Sequence, residues 1–107
     1  MDHFCKANSL SEIIEASQKN PVIIFKYSSM CNSSKRLSTT LEKKIIDKKL
    51  SVPVYIVVVQ KQPVLSKNIA EMFDVKHQSP QILILNKGKS IYTAHHNSIK
   101  IENFIFQ

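Results

Sequence analysis

Glycine is nearly missing from this 107-residue chain, with Gly88 as its only example. Phosphate-cradling loops of the P-loop and dinucleotide-binding types need several glycines at fixed spacing, so nucleotide chemistry built on them is excluded. Tryptophan is absent, and cysteine is limited to Cys5 and Cys31. Small secreted domains stapled by disulfides carry more cysteines, so a reducing compartment is expected. Acidic residues are few: eight Asp and Glu stand against fifteen Lys and Arg, a net charge of +7. Such an excess suits an anionic partner. The densest basic stretch, Lys35 to Lys49, contains no aromatic residue to stack on bases, which argues against nucleic acid. No apolar run approaches the roughly 20 residues of a membrane helix, and the first residues lack the apolar core of a signal peptide. A cytoplasmic protein without a membrane partner is therefore expected, folded as one domain over residues 1–107.

The apolar residues that are present fall into clear elements. Ser9-Leu10-Ser11-Glu12 reads as a capping box opening a helix that ends before Pro21. Val22 to Phe25 is a β-branched and aromatic run, a strand buried on both faces. A long helix is predicted from Cys31 to Lys49, with Leu37, Leu41, Ile45 and Ile46 inward. Val52 to Val59 is a second buried strand, and strand–helix–strand in this order makes a right-handed parallel unit. A helix over Val64–Phe73 turns Ile69, Ala70 and Phe73 inward. A hairpin follows, from Gln81–Leu85 through Asn86-Lys87-Gly88-Lys89 to a fourth strand over Ser90–His96, the lone glycine supplying a positive φ. Ser98 is placed to cap a last helix presenting Ile101, Phe104 and Ile105.

Cys31 stands where a buried strand hands over to a long helix. The first turn of a helix has unpaired N–H groups and a partial positive charge, both favouring an anion. Lys26, Lys35 and Arg36 add to the field, so the thiol pKa is expected to be lowered. A lower pKa gives more thiolate but a weaker nucleophile, so attack gains only a factor of about 3. The larger benefit is a better leaving group, which suits thiol–disulfide exchange. Cys31-Asn32-Ser33-Ser34 has serine where a dithiol motif has its second cysteine, so the chemistry runs on one thiol. Against this stands the reading of Cys31 as an inert buried hydrophobe. Cys5 has no activating neighbour in sequence, and its role stays open. His95 and His96 point to opposite faces of a strand, and no zinc spacing is present.

The element order, the cysteine after strand one and Pro80 before strand three resemble a thioredoxin fold: α/β, with a four-stranded mixed sheet flanked by helices. More narrowly, the chain resembles the monothiol bacilliredoxins of the YtxJ-like branch. The matching stretches are Phe25-Lys26-Tyr27-Ser28 with Cys31 and Ser34, Ser66-Lys67-Asn68-Ile69-Ala70-Glu71, Val75-Lys76-His77-Gln78-Ser79-Pro80-Gln81, and His96. The resemblance implies a cis bond at Pro80, with Ser79 offering its backbone to an extended substrate. His77, three residues before the proline, is expected either near Cys31 or as a surface-loop histidine. It implies a thiol–disulfide oxidoreductase in which Cys31 takes bacillithiol off client proteins. Bacillithiol is then a co-substrate, not a bound cofactor, and the partners are bacillithiol and bacillithiolated proteins. Because bacillithiol carries a malate group, Lys26, Lys35, Arg36 and Lys76 are expected around its carboxylates. Asn32 departs from the proline the family carries after its cysteine, adding one N–H near the sulfur. The rival readings are a non-catalytic peptide-binding module on the same scaffold, a reductase using another thiol or an oxyanion such as arsenate, and a basic nucleic-acid-binding domain.

Overall fold

The computed structural model describes residues 3–100. Its elements are α1 (Leu10–Ala16), β1 (Val22–Tyr27), α2 (Asn32–Ile46), β2 (Val54–Val58), α3 (Pro63–Met72), β3 (Gln81–Asn86) and β4 (Lys89–His95), followed by a 3-10 turn over His96–Ser98. They form one four-stranded mixed sheet in the order β2-β1-β3-β4. β1 runs parallel to β2 and antiparallel to β3, and β3 pairs antiparallel with β4. The expected mixed sheet is present, with three helices on its two faces.

Alternation along β1 divides the core. Ile23, Phe25 and Tyr27 pack with Leu41 of α2, Val54, Ile56, Ile82 and Ile84 on one face. Val22 and Ile24 pack with Ile13 of α1, Leu65 and Ile69 of α3, Leu83 and Leu85 on the other. Every residue of β1 is buried, as a central strand covered by helices on both sides must be. The strand runs two residues past Phe25, because Lys26 and Tyr27 pair with Val57 and Val58 of β2.

Several boundaries differ from expectation for local reasons. Ser9 caps α1 through Glu12 N–H at 3.4 Å, but the Glu12 carboxylate accepts from Asn8 N–H at 2.8 Å instead of from Ser9. The helix stops at Ala16 because the buried Ser17 leaves it for the hairpin, its Oγ accepting from Gly88 N–H and its carbonyl from Lys87 N–H, both at 2.8 Å. Lys87 and Gly88 both have positive φ, 53° and 77°, as a two-residue hairpin turn requires. α2 ends at Ile46, three residues early, where Lys48 turns left-handed at φ 59°. In α3, Leu65 and Ile69 are buried against the sheet and Ala70 only partly so. His96 leaves β4 at φ 49° and donates its N–H to the Pro80 carbonyl at 3.1 Å. Ile101, Phe104 and Ile105 lie outside the described residues.

Candidate active site

β1 delivers the chain to a short loop, Ser28-Ser29-Met30, and Cys31 then takes the N-cap position of α2 with extended backbone, φ −118° and ψ 119°. Its carbonyl accepts the first helical bond, from Lys35 N–H at 3.2 Å. A sulfur here replaces the oxygen of an ordinary N-cap residue, which accepts from the second and third helical N–H groups. Ser33 and Ser34 occupy those two positions. The Ser34 N–H contributes most to holding the thiol below its usual pKa, assisted by the Ser33 N–H and both serine hydroxyls, while slight burial opposes them. Cys31 is partly exposed and makes no disulfide. Met30 beside it is 85% exposed, and the partial exposure of Cys31 itself means that it is not enclosed in hydrocarbon.

Ser34 is completely buried, and its Oγ accepts from Ser28 N–H at 3.2 Å. Ser28 Oγ accepts from Met30 N–H at 3.2 Å and from Gln60 Nε2 at 2.7 Å. Sequence reasoning missed the parts played by Ser28 and Gln60. The two residues are 32 apart in the chain, and no spacing rule links them.

A groove of about 210 Å³ runs from Ser33 and Arg36 across Leu37 to Pro80, His96 and Asn97. The Ser79–Pro80 bond is cis. Arg36 is exposed along this groove, its Nη2 3.5 Å from Ser33 Oγ. Ser33 therefore serves both the groove and the sulfur. Asn32, Lys35 and Lys76 are exposed, and Ser79 partly so.

Two expected members are elsewhere. Lys26 is 0% exposed, and its Nζ donates to the Ser66 carbonyl at 2.9 Å and lies 3.3 Å from His77 Nδ1. The expectation of Lys26 among the surface charges around the sulfur is corrected: strand alternation turns its side chain to the α3 face, away from Phe25 and α2. His77 follows it, and lines a separate cavity of about 360 Å³ with Gln60, Pro63 and Ser66 rather than the groove at Pro80. His77 Nδ1 also lies 3.2 Å from Ser66 Oγ, and while the Lys26 ammonium donates to Nδ1 that nitrogen carries no proton. Burial and the Lys26 charge accordingly hold the His77 pKa low. Gln81, the β3 partner of Lys26, donates to the Lys76 carbonyl at 3.0 Å. Lys26 and Gln81 thus anchor the loop that carries Ser79 and Pro80.

Burial also lowers the Lys26 pKa to about 8 from 10.5. Between those values the unfolded chain holds the extra proton, so stability rises with pH. Cys31, whose pKa is also lowered, acts with the same sign below its ordinary value, so the test belongs in a Cys31→Ser background. There, the melting temperature is expected to climb from pH 8 to pH 10, and Lys26→Met to flatten the climb.

Cys5 forms a single parallel bridge with Tyr55 on the outer edge of β2. Tyr55 in turn pairs with Ile24 of β1. Cys5 therefore lies two strand spacings, about 9–10 Å, to the side of β1 and several residues back from Cys31. Disulfides need Cα atoms within about 7 Å, so the two cysteines cannot be bridged within one chain without moving the backbone. No group of three or more His, Cys, Asp or Glu among the described residues could hold a metal ion. No helix among them is long and apolar enough to cross a membrane.

Residues 3–104 match the sequence profile of the monothiol bacilliredoxin family, BrxC. The chain belongs to this family. Solved structures agree on the fold of this bacilliredoxin. One, named for its thioredoxin fold and a proposed oxidoreductase activity, has 24% identity and a TM-score of 0.80, covering 94% of this chain and 89% of its own. A point variant of thioredoxin from Halobacterium salinarum has 14% identity and a TM-score of 0.72, covering 99% and 94%. Mitochondrial thioredoxin 3 of Saccharomyces cerevisiae, in its oxidised form, has 22% identity and a TM-score of 0.64, covering 85% and 81%. The bacilliredoxin has the thioredoxin fold, and its general chemistry is thiol–disulfide exchange. In that chemistry Ser34 stands where a second thiol would resolve the first, and it supplies hydrogen bonds instead.

Proposed function

We propose that this bacilliredoxin removes bacillithiol from mixed disulfides on client proteins in the cytoplasm, with Cys31 as its only catalytic thiol. The Cys31 thiolate attacks the bacillithiol sulfur of the mixed disulfide. That S–S bond breaks, the client leaves as a thiolate, and a Cys31–bacillithiol disulfide forms. A second bacillithiol thiolate then attacks the bacillithiol sulfur of this intermediate, releasing the Cys31 thiolate and bacillithiol disulfide. On balance one free bacillithiol is oxidised, the client thiol is released reduced, and Cys31 returns unchanged. The observation that carries this reading is a partly exposed thiol at the α2 N-cap, its pKa held down by the Ser34 and Ser33 N–H groups and hydroxyls, with no thiol three residues on. Ser34 stabilises the anion, Asn32 adds an exposed first-turn N–H, and Ser79 and Pro80 form the edge along which an extended client lies.

Arg36, Lys35 and Lys76 hold the bacillithiol carboxylates, a role that passes over the buried Lys26. Exposed charges act by steering and weak pairing, so their effect is screened by salt. Double substitution Lys35→Glu/Arg36→Glu is expected to slow reaction with bacillithiol more than reaction with 2-mercaptoethanol, a neutral thiol. Equal slowing would remove the carboxylate assignment. The function itself is tested by incubating the protein with a bacillithiolated test protein. Expected are release of the client thiol and a Cys31 adduct of bacillithiol mass; a client that stays modified overturns the reading.

A further inference from the structure

Every backbone N–H from Ser28 to Cys31 has a defined acceptor. Ser28 N–H goes to Ser34 Oγ at 3.2 Å, Ser29 N–H to Gln60 Oε1 at 3.3 Å, and Met30 N–H to Ser28 Oγ at 3.2 Å. Cys31 N–H goes to the Ser28 carbonyl at 3.2 Å. Gln60, in the turn after β2, closes the set by donating from Nε2 to Ser28 Oγ at 2.7 Å. Its amide is used at both ends, and its orientation is forced, since the flipped amide would set an N–H against Ser29 N–H.

We propose that Gln60 is a positioning residue for Cys31, acting through Ser28 and Ser34. A hydroxyl has one proton and two lone pairs. The Ser28 N–H occupies a lone pair of Ser34 Oγ, which leaves the Ser34 proton free to point at the sulfur. That arrangement holds only while Ser28 stays in place. Gln60 and the Met30 N–H together pin the Ser28 side chain, and Gln60 Oε1 pins the next peptide. Ser28 and Ser34 are both buried, so water does not readily replace these bonds. Gln60 itself is exposed and supports no core packing. The assignment depends on Cys31 reacting as a thiolate, and not on which low-molecular-weight thiol it meets.

The test is the pH profile of Cys31 alkylation by iodoacetamide, measured in a Cys5→Ser background without any disulfide substrate. Gln60→Met keeps the side chain's length and removes both bonds. The midpoint of the profile is expected to move up, lowering the thiolate fraction at pH 7 about three-fold. Ser28→Ala, which removes the acceptor shared by Gln60 and Met30, is expected to move it the same way. In a Ser34→Ala background, Gln60→Met is expected to move the midpoint no further, because the group through which it acts is gone. A midpoint unmoved by Gln60→Met, or moved equally with and without Ser34, overturns the proposal. Because the readout is the thiol's own ionisation, failure of the bacillithiol assignment leaves this result intact.

Discussion

Cys31→Ser is expected to lower the release of bacillithiol from a mixed disulfide by more than about 10³-fold, the scale on which removal of a covalent nucleophile acts. The physical reason lies in the acid strength of the two groups. A hydroxyl at the same N-cap stays protonated near neutral pH, and no second thiol stands at position 34 to take over. The helix N-terminus would still offer its N–H groups, but to a neutral oxygen that neither attacks sulfur nor departs from it. Cys5→Ser is the matched control. Cys5 engages β2 through its backbone, donating to the Val54 carbonyl at 2.8 Å and accepting from Ile56 N–H at 3.0 Å, and serine keeps both bonds. The rate of Cys5→Ser is expected to equal that of the parent. A stopped assay of client thiol release on all three proteins checks both. Residual turnover in Cys31→Ser near the parental rate, or its loss in Cys5→Ser, would move the chemistry to the other sulfur.

The largest loss of stability is expected from Phe25→Ala. Phe25 is 0% exposed at the centre of β1, its ring 5.8 Å from that of Phe4 and 5.9 Å from that of Tyr27. It packs with Leu41 from α2 and with strand residues on both sides, so the space it leaves is bounded by rigid elements and collapses poorly. Truncation of a buried aromatic costs about 3–5 kcal/mol. A domain of this size has a total of roughly 5–15 kcal/mol. The melting temperature is expected to fall by roughly 15–30 °C, with a lower urea midpoint at an unchanged slope. Met30→Ala, at the most exposed large apolar side chain among the described residues, is expected to stay within about 0.5 kcal/mol of the parent. A comparable loss from the two would mean that Phe25 does not anchor the core.

Much of the scaffold is legible in the chain because apolar runs have few places to go. Val22 to Phe25 and Gln81 to Leu85 are too apolar to be anything but central strands, and they pair with each other. Leu37, Leu41 and Ile45 mark one stripe of α2, all packed on the same core, whereas Ile46, expected to widen that stripe, is 56% exposed at the helix end. The position of Cys31 at the start of that helix follows from the breaks on either side of it. Element ends are less legible, because they are set by bonds to distant residues: Ser17 stops α1 for the sake of the β3–β4 turn, and His96 leaves β4 to reach Pro80.

Local order, then, was settled by the chain itself: which segments are strands, which are helices, and which sulfur opens α2, since periodicity and capping act over a few residues. Tertiary structure alone decided the surroundings of that sulfur. Lys26 looked like one more surface cation until the pleat turned it under α3, onto groups 40 and 51 residues away. Gln60 carried no signal until β2 ended beside Ser28. Hydrogen bonds between residues so far apart form only where the sheet brings their strands to one end, and no local pattern encodes that meeting.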